Sequence, residues 1–75
     1  MDKNVEALLV EQITKEYFSA YFYMSMAAYL EEKNLPGMAH WMKMQAQEEL
    51  VHGTKFFDYA NDRGVRVVLG ALDKP

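Results

Sequence analysis

Two long segments of helical periodicity are separated by one interruption, Asn34-Leu35-Pro36-Gly37. Adjacent proline and glycine favour a turn, because proline fixes its own φ angle and glycine adopts backbone conformations that other residues avoid. No glycine precedes Gly37, and the only other proline is Pro75. The pattern therefore predicts an all-α chain in which two helices, joined by a loop at residues 34–37, form an antiparallel hairpin.

The first segment carries a stripe of mostly apolar residues whose spacing of three or four places them on one helical face. Its members are Val5, Leu9, Ile13, Glu16, Ala20, Tyr23, Ala27 and Leu30. Asp2 and Asn4 are both suited to cap the first turn, because their side chains accept hydrogen bonds from free backbone N–H groups. We predict this helix over about residues 4–33.

The second segment has a stripe of the same spacing. Its members are Met38, Met42, Gln45, Glu49, His52, Phe56 and Tyr59. Gly64 is well placed to end the helix in a left-handed conformation, so we predict this helix over about residues 37–63. Residues 65–75 alternate valine and leucine with other residues and are expected to be an extended segment that begins a connection.

A two-helix hairpin leaves broad apolar faces that need a partner. The partner is either another copy of the chain or the complementary half of a larger bundle. We accordingly treat residues 1–75 as one domain.

Composition excludes several other classes. With 8 basic and 11 acidic residues the net charge is -3, which argues against nucleic-acid binding. No apolar stretch reaches the ~18 residues of a membrane span, and the N-terminus lacks the pattern of a secretory signal. Cysteine is absent, which excludes disulfides and thiolate metal sites. We expect a soluble, cytoplasmic protein.

Glu16, Glu49 and His52 are polar members of the two apolar stripes. An isolated buried carboxylate is costly unless it is paired or bound to a cation. Glu49 and His52 are three residues apart and point the same way. Pairing across the loop places Glu16 within about three residues of the level of His52, or ~4.5 Å along the helix axis. We predict that the three side chains converge on one point.

Oxygen-rich ligation with one imidazole suits iron or manganese better than structural zinc. Two such sets that face each other would form a carboxylate-bridged di-iron centre. The alternative is an ordinary Glu–His pair on a solvated face, since Glu-x-x-His is frequent on helices. By pattern alone, Tyr23 is more simply a core tyrosine and Glu48 a solvated carboxylate.

The run Gln12–Ala27 (QITKEYFSAYFYMSMA) resembles the first helix of prokaryotic non-haem ferritins, and His40–His52 (HWMKMQAQEELVH) resembles their second. The similarity continues through Phe57–Gly64 and the valine-rich tail. It implies half of a ferritin-like four-helix bundle, with residues 65–75 as the start of the crossover. It also implies oxidation of Fe(II) by O2 at a di-iron site and storage of ferric mineral in a multi-subunit shell.

The same resemblance implies roles for individual residues. Glu16, Glu49 and His52 would be ligands of the first iron, with Glu49 bridging to the second. Tyr23 matches a tyrosine kept beside the centre and would act catalytically with Glu49. Glu48 matches a carboxylate that helps to hold a third iron in some bacterial ferritins. Haem-binding bacterioferritins have methionine where this chain has Leu50, so no haem is expected.

Members of that family continue beyond the crossover with further helices that carry the ligands of the second iron. Three arrangements follow for a chain that ends at Pro75: a fragment, a chain complemented by a separate ferritin C-terminal half, or two hairpins paired about a twofold axis. Two rival functions also stay open. One is a self-associating helical hairpin that serves as a structural module without a complete metal site, and the other is a peroxide-scavenging di-iron relative.

Overall fold

Two helices account for most of the chain in the computed structural model, which describes residues 1–75. Helix α1 spans Lys3–Glu32 and helix α2 spans Pro36–Asp62, and there is no strand. They pack antiparallel along their lengths into a rod of 48 × 20 × 13 Å. The predicted all-α helical hairpin is confirmed. Neither helix combines the length and apolar character needed to cross a membrane.

Helix α1 begins with a side-chain cap. Asp2 Oδ1 accepts hydrogen bonds from the backbone N–H groups of Asn4 (2.6 Å) and Val5 (3.4 Å). Of the two predicted capping residues, Asp2 therefore acts as the cap. These bonds satisfy two of the four N–H groups that the first turn of a helix leaves without a backbone partner.

Both helices end in the same left-handed motif. Asn34 (φ 60°) follows α1 and Gly64 (φ 74°) follows α2, as predicted for Gly64. In each case the next N–H bonds back to the last turn, Leu35 to the Leu30 carbonyl and Val65 to the Ala60 carbonyl, both at 2.9 Å. Helix α2 then starts at Pro36, because the first position of a helix needs no backbone N–H.

Small residues, with Ile13 as the exception, form the seam between the helices. The buried residues of helix α1 at the seam are Ile13, Ala20 and Ala27, and those of helix α2 are Ala39, Ala46, Gly53 and Ala60. Successive members are seven residues apart, which keeps the seam facing the partner helix along its whole length. Their size allows the two backbones to approach closely.

The seam of α2 lies one residue away from its predicted apolar stripe. Met38, Phe56 and Tyr59 belong to that stripe but are exposed in the hairpin. As expected for a hairpin with unpartnered apolar faces, large apolar side chains remain exposed. They lie beside the seam because close helix packing selects alanine and glycine there.

Residues 65–75 form neither helix nor strand. Val65 is buried against Ile13 and Ala60 at the open end of the hairpin. Further along, Leu72 lies with Tyr17 and other residues around an apolar groove of about 580 Å³ between the helices. The segment therefore runs back along the hairpin instead of extending away from it.

Candidate metal centre

Glu16, Glu49 and His52 come together midway along the hairpin. Each offers one ligand atom, and these atoms all lie within 4.8 Å of one another. His52 Nδ1 is 3.9 Å from Glu16 Oε2 and 3.9 Å from Glu49 Oε1. The geometry matches the predicted convergence: α2 supplies a Glu-x-x-His pair and α1 supplies a carboxylate at the same level.

The cluster lies at the side of the seam and is open to solvent. The Glu16 side chain is 15% exposed and that of Glu49 is 22% exposed, whereas His52 is half exposed. The carboxylates are thus shielded, as the stripe positions indicate, but a cation can approach from the open side.

The pKa values of the two carboxyl groups are shifted in opposite directions. The side-chain hydrogen bond between them is the largest cause: it lowers the pKa of Glu16 and raises the pKa of Glu49. Gln12 and His52 also lower the pKa of Glu16. Burial and the negative charge of Glu16 raise the pKa of Glu49 further. Two carboxylates this close disfavour simultaneous ionisation unless a cation offsets their charge.

The protein supplies little positive charge of its own at this point. His52 is the only basic side chain within 4.0 Å of either carboxylate. Two carboxylates and one imidazole form an oxygen-rich donor set, which suits a divalent ion such as Fe(II) or Mn(II). The residues present therefore fit a metal, and a bound ion would offset the negative charge that the two carboxylates bring together.

A further side chain, absent from the sequence-based set of site residues, contacts the cluster. The Gln12 amide Nε2 donates a hydrogen bond of 2.9 Å to Glu16 Oε1. The signal was present in the sequence, since Gln12 and Glu16 are four residues apart on one face of α1 and such pairs hydrogen-bond on helices. It was missed because one turn of helix contains many pairs of that spacing.

Tyr23 and Glu48 lie outside the cluster. Tyr23 is half-buried on α1, in a shallow depression lined also by Phe18, Phe22 and Met26. Glu48 is exposed and borders a different groove, together with His52 and Lys55. Glu48 contributes no ligand atom to the group that Glu16, Glu49 and His52 form. The roles expected of Tyr23 and Glu48 stay predictions.

A helical hairpin with one glutamate on its first helix and Glu-x-x-His on its second has the pattern of half a carboxylate–histidine four-helix bundle. Comparison with known proteins identifies the family. Residues 6–75 match the Ferritin family model, described as a ferritin-like domain, and the chain belongs to this family.

Individual relatives agree with this assignment. The bacterial non-heme ferritin of Staphylococcus epidermidis is 43% identical over 75 residues, which is 100% of this chain and 45% of that protein. An open-pore ferritin from the archaeon Archaeoglobus fulgidus superposes with a TM-score of 0.97 at 43% identity, covering 100% of this chain and 46% of that one. A PmFTN variant soaked in iron gives a TM-score of 0.95 at 31% identity, over 99% of this chain and 46% of that one. The chain thus spans about half the length of the relatives it matches.

Proposed function

We propose that this chain contributes to an iron-storage protein with ferroxidase activity, which oxidises Fe(II) with O2 at a di-iron site and stores ferric mineral in a multi-subunit shell. The observation that carries the proposal is the convergence of ligand atoms from Glu16, Glu49 and His52 within 4.8 Å. Membership of the ferritin-like family supports it, as do relatives that are named non-heme ferritins.

Each ligand has a separate task in this scheme. Glu16 and His52 hold the first Fe(II) substrate, and Glu49 bridges it to the second. The positive charge of iron stabilises both carboxylates in their ionised forms. Each Fe(II) that is oxidised gives up one electron, and O2 accepts these electrons. Tyr23 is proposed to orient the centre or to supply an electron, and Glu48 to help hold a third iron.

A second ligand set is needed for a complete di-iron site. We propose that it comes from a second copy of the hairpin or from a complementary ferritin C-terminal half, reached by a crossover that begins at residues 65–75. Exposed apolar side chains support either form of association, because a hairpin alone leaves them in water. They include Leu8, Tyr21, Met24, Trp41, Leu50 and Val51. The proposed setting is the cytoplasm, without haem, membrane or nucleic acid.

Native mass spectrometry of the 75-residue chain, before and after anaerobic addition of Fe(II), tests iron uptake and assembly together. Even-numbered assemblies that take up about two irons per pair of chains are expected if hairpins pair to rebuild the symmetric centre. Subsequent exposure to air, followed with an oxygen electrode, should then show O2 consumption that depends on the bound iron.

Substitution of Glu49 makes this experiment specific. Glu49→Ala should abolish iron uptake and iron-dependent O2 consumption, whereas Glu32→Ala, the same change at the exposed end of α1, should leave both unchanged. Equal activity of the two variants would refute the assignment. A chain that assembles but takes up no iron would instead be the self-associating structural module.

A further inference from the structure

The two carboxylate oxygens of Glu16 have different neighbours. Oε1 accepts the hydrogen bond from Gln12 Nε2 at 2.9 Å. Oε2 is the oxygen that faces His52, at 3.9 Å from its Nδ1 atom. One oxygen is therefore engaged by an amide on the same helix, and the other points to where the ligand atoms converge.

We propose that Gln12 is a positioning residue: its amide holds Glu16 Oε1, so that Glu16 binds the metal through Oε2 alone. The inference rests on the proposed function, because it concerns the manner in which Glu16 ligates iron. Without the amide, the carboxylate is free to rotate about its terminal torsion, which has broad minima. It would then exchange its two oxygens or chelate the ion with both.

The hydrogen bond from Gln12 differs from the one between Glu16 and Glu49, because an amide donates without needing a carboxyl proton. It therefore remains in place when both carboxylates are ionised and bind a cation. The amide of Gln12 reaches the cluster through its hydrogen bond to Glu16, so its effect on the metal is expected to pass through Glu16. Hydrogen bonds that orient a ligating side chain commonly change metal affinity or activity by about 10- to 100-fold.

Metal binding by the full chain tests the proposal without reference to turnover. Gln12→Met keeps the length of the side chain and removes its donor, and Gln12→Ala removes the amide with a residue that favours helix. Both variants should bind Fe(II) at least about tenfold more weakly than the native chain in anaerobic calorimetry. Gln47→Met, the same change at an exposed position of α2, is the matched control and should bind like the native chain.

Co(II) provides a readout that a general loss of stability would not produce. If Glu16 chelates with both oxygens once Gln12 is removed, the coordination number rises and the visible d–d bands of bound Co(II) weaken and shift. Gln47→Met should keep the native spectrum. Far-UV circular dichroism before titration shows whether each variant is folded. If Gln12→Met is unfolded, Gln12→Ala is measured in its place.

Glu16→Gln and Glu49→Gln, measured in parallel, separate the two proposals. Loss of Fe(II) binding in these variants, with native affinity and an unchanged Co(II) spectrum in the Gln12 variants, would overturn the positioning role alone. Native affinity in Glu16→Gln and Glu49→Gln would overturn the proposed site and the role of Gln12 with it. Weaker binding and an altered spectrum in the Gln12 variants, together with loss in the Glu variants, would support both.

Discussion

The ring of Tyr17 lies directly over the backbone of Gly53, where a β-carbon would come within 2.5 Å of Tyr17 Cε1 and 2.8 Å of Cδ1. The Tyr17 hydroxyl continues across the seam to Thr54 Oγ1, at 3.3 Å. A β-carbon at position 53 would therefore displace this aromatic ring from the helix backbone. This contact holds the helices together next to Glu16 and His52.

Gly53→Ala should destabilise the hairpin. In an unconstrained helix the change stabilises by about 0.5–1 kcal/mol, but overpacking typically costs about 1–3 kcal/mol. We expect a net loss of about 1 kcal/mol or more in the free energy of unfolding, measured by urea denaturation. The ring of Tyr17 must turn away, which also breaks its hydrogen bond to Thr54.

Two comparisons isolate the contact. Gly37 has no atom within 4 Å of an added β-carbon, so Gly37→Ala should be neutral or stabilising. In a Tyr17→Ala background, Gly53→Ala should become stabilising because the clash has gone. If Gly53→Ala destabilised both backgrounds equally, the ring contact would not be the cause.

The spacing of residues along the sequence predicts the hairpin and the position of its polar cluster along the helices. The Pro36-Gly37 interruption fixes the turn, and the three-residue step from Glu49 to His52 fixes their common direction on α2. The seam was harder to predict, because Ala39, Ala46 and Ala60 carry little hydrophobic signal while their small size decides where helices meet. Which neighbours hold each side chain, such as Gln12 at Glu16, depends on rotamers that a sequence pattern does not specify.

Glu49→Gln should stabilise the metal-free hairpin at neutral pH. The pKa of Glu49 is raised above its ordinary value of 4.5, chiefly by its hydrogen bond to Glu16. The folded state therefore binds this proton more tightly than the unfolded state does. The resulting stabilisation is complete below pH 4.5 and is lost as the pH rises through the raised pKa. Glutamine does not ionise, so the Glu49→Gln variant does not lose this stability as the pH rises.

Urea denaturation of both chains between pH 4 and pH 8 checks that prediction. The advantage of Glu49→Gln should be below about 1 kcal/mol, the range of partly exposed charge pairs, and should disappear toward acid pH. The pKa of Glu16 is shifted the other way. It is lowered, so the stability that Glu16 contributes to the folded state is lost as the pH falls. An advantage of Glu49→Gln that grew toward acid pH would contradict the assigned direction.

Asp2→Ala should loosen the first turn of α1. The substitution removes the acceptor of the Asn4 and Val5 N–H groups, and loss of such a cap costs about 0.5–2 kcal/mol. We expect less helical ellipticity and a lower unfolding midpoint. Asp2→Asn keeps a capping oxygen and should retain most of the native stability. Equal losses in both variants would mean that the charge of Asp2, and not the hydrogen bond, is responsible.

The two histidines offer a matched test of the metal site. His52→Gln removes the imidazole whose Nδ1 atom faces both carboxylates, whereas His40→Gln changes an exposed histidine of the same helix outside the cluster. Because the remaining Glu16 and Glu49 provide only oxygen ligands, His52→Gln should weaken anaerobic Fe(II) binding by about tenfold or more. His40→Gln should leave the affinity unchanged. If both variants lost affinity equally, iron would be binding through general histidine or surface charge, and the convergence of Glu16, Glu49 and His52 would not define the site.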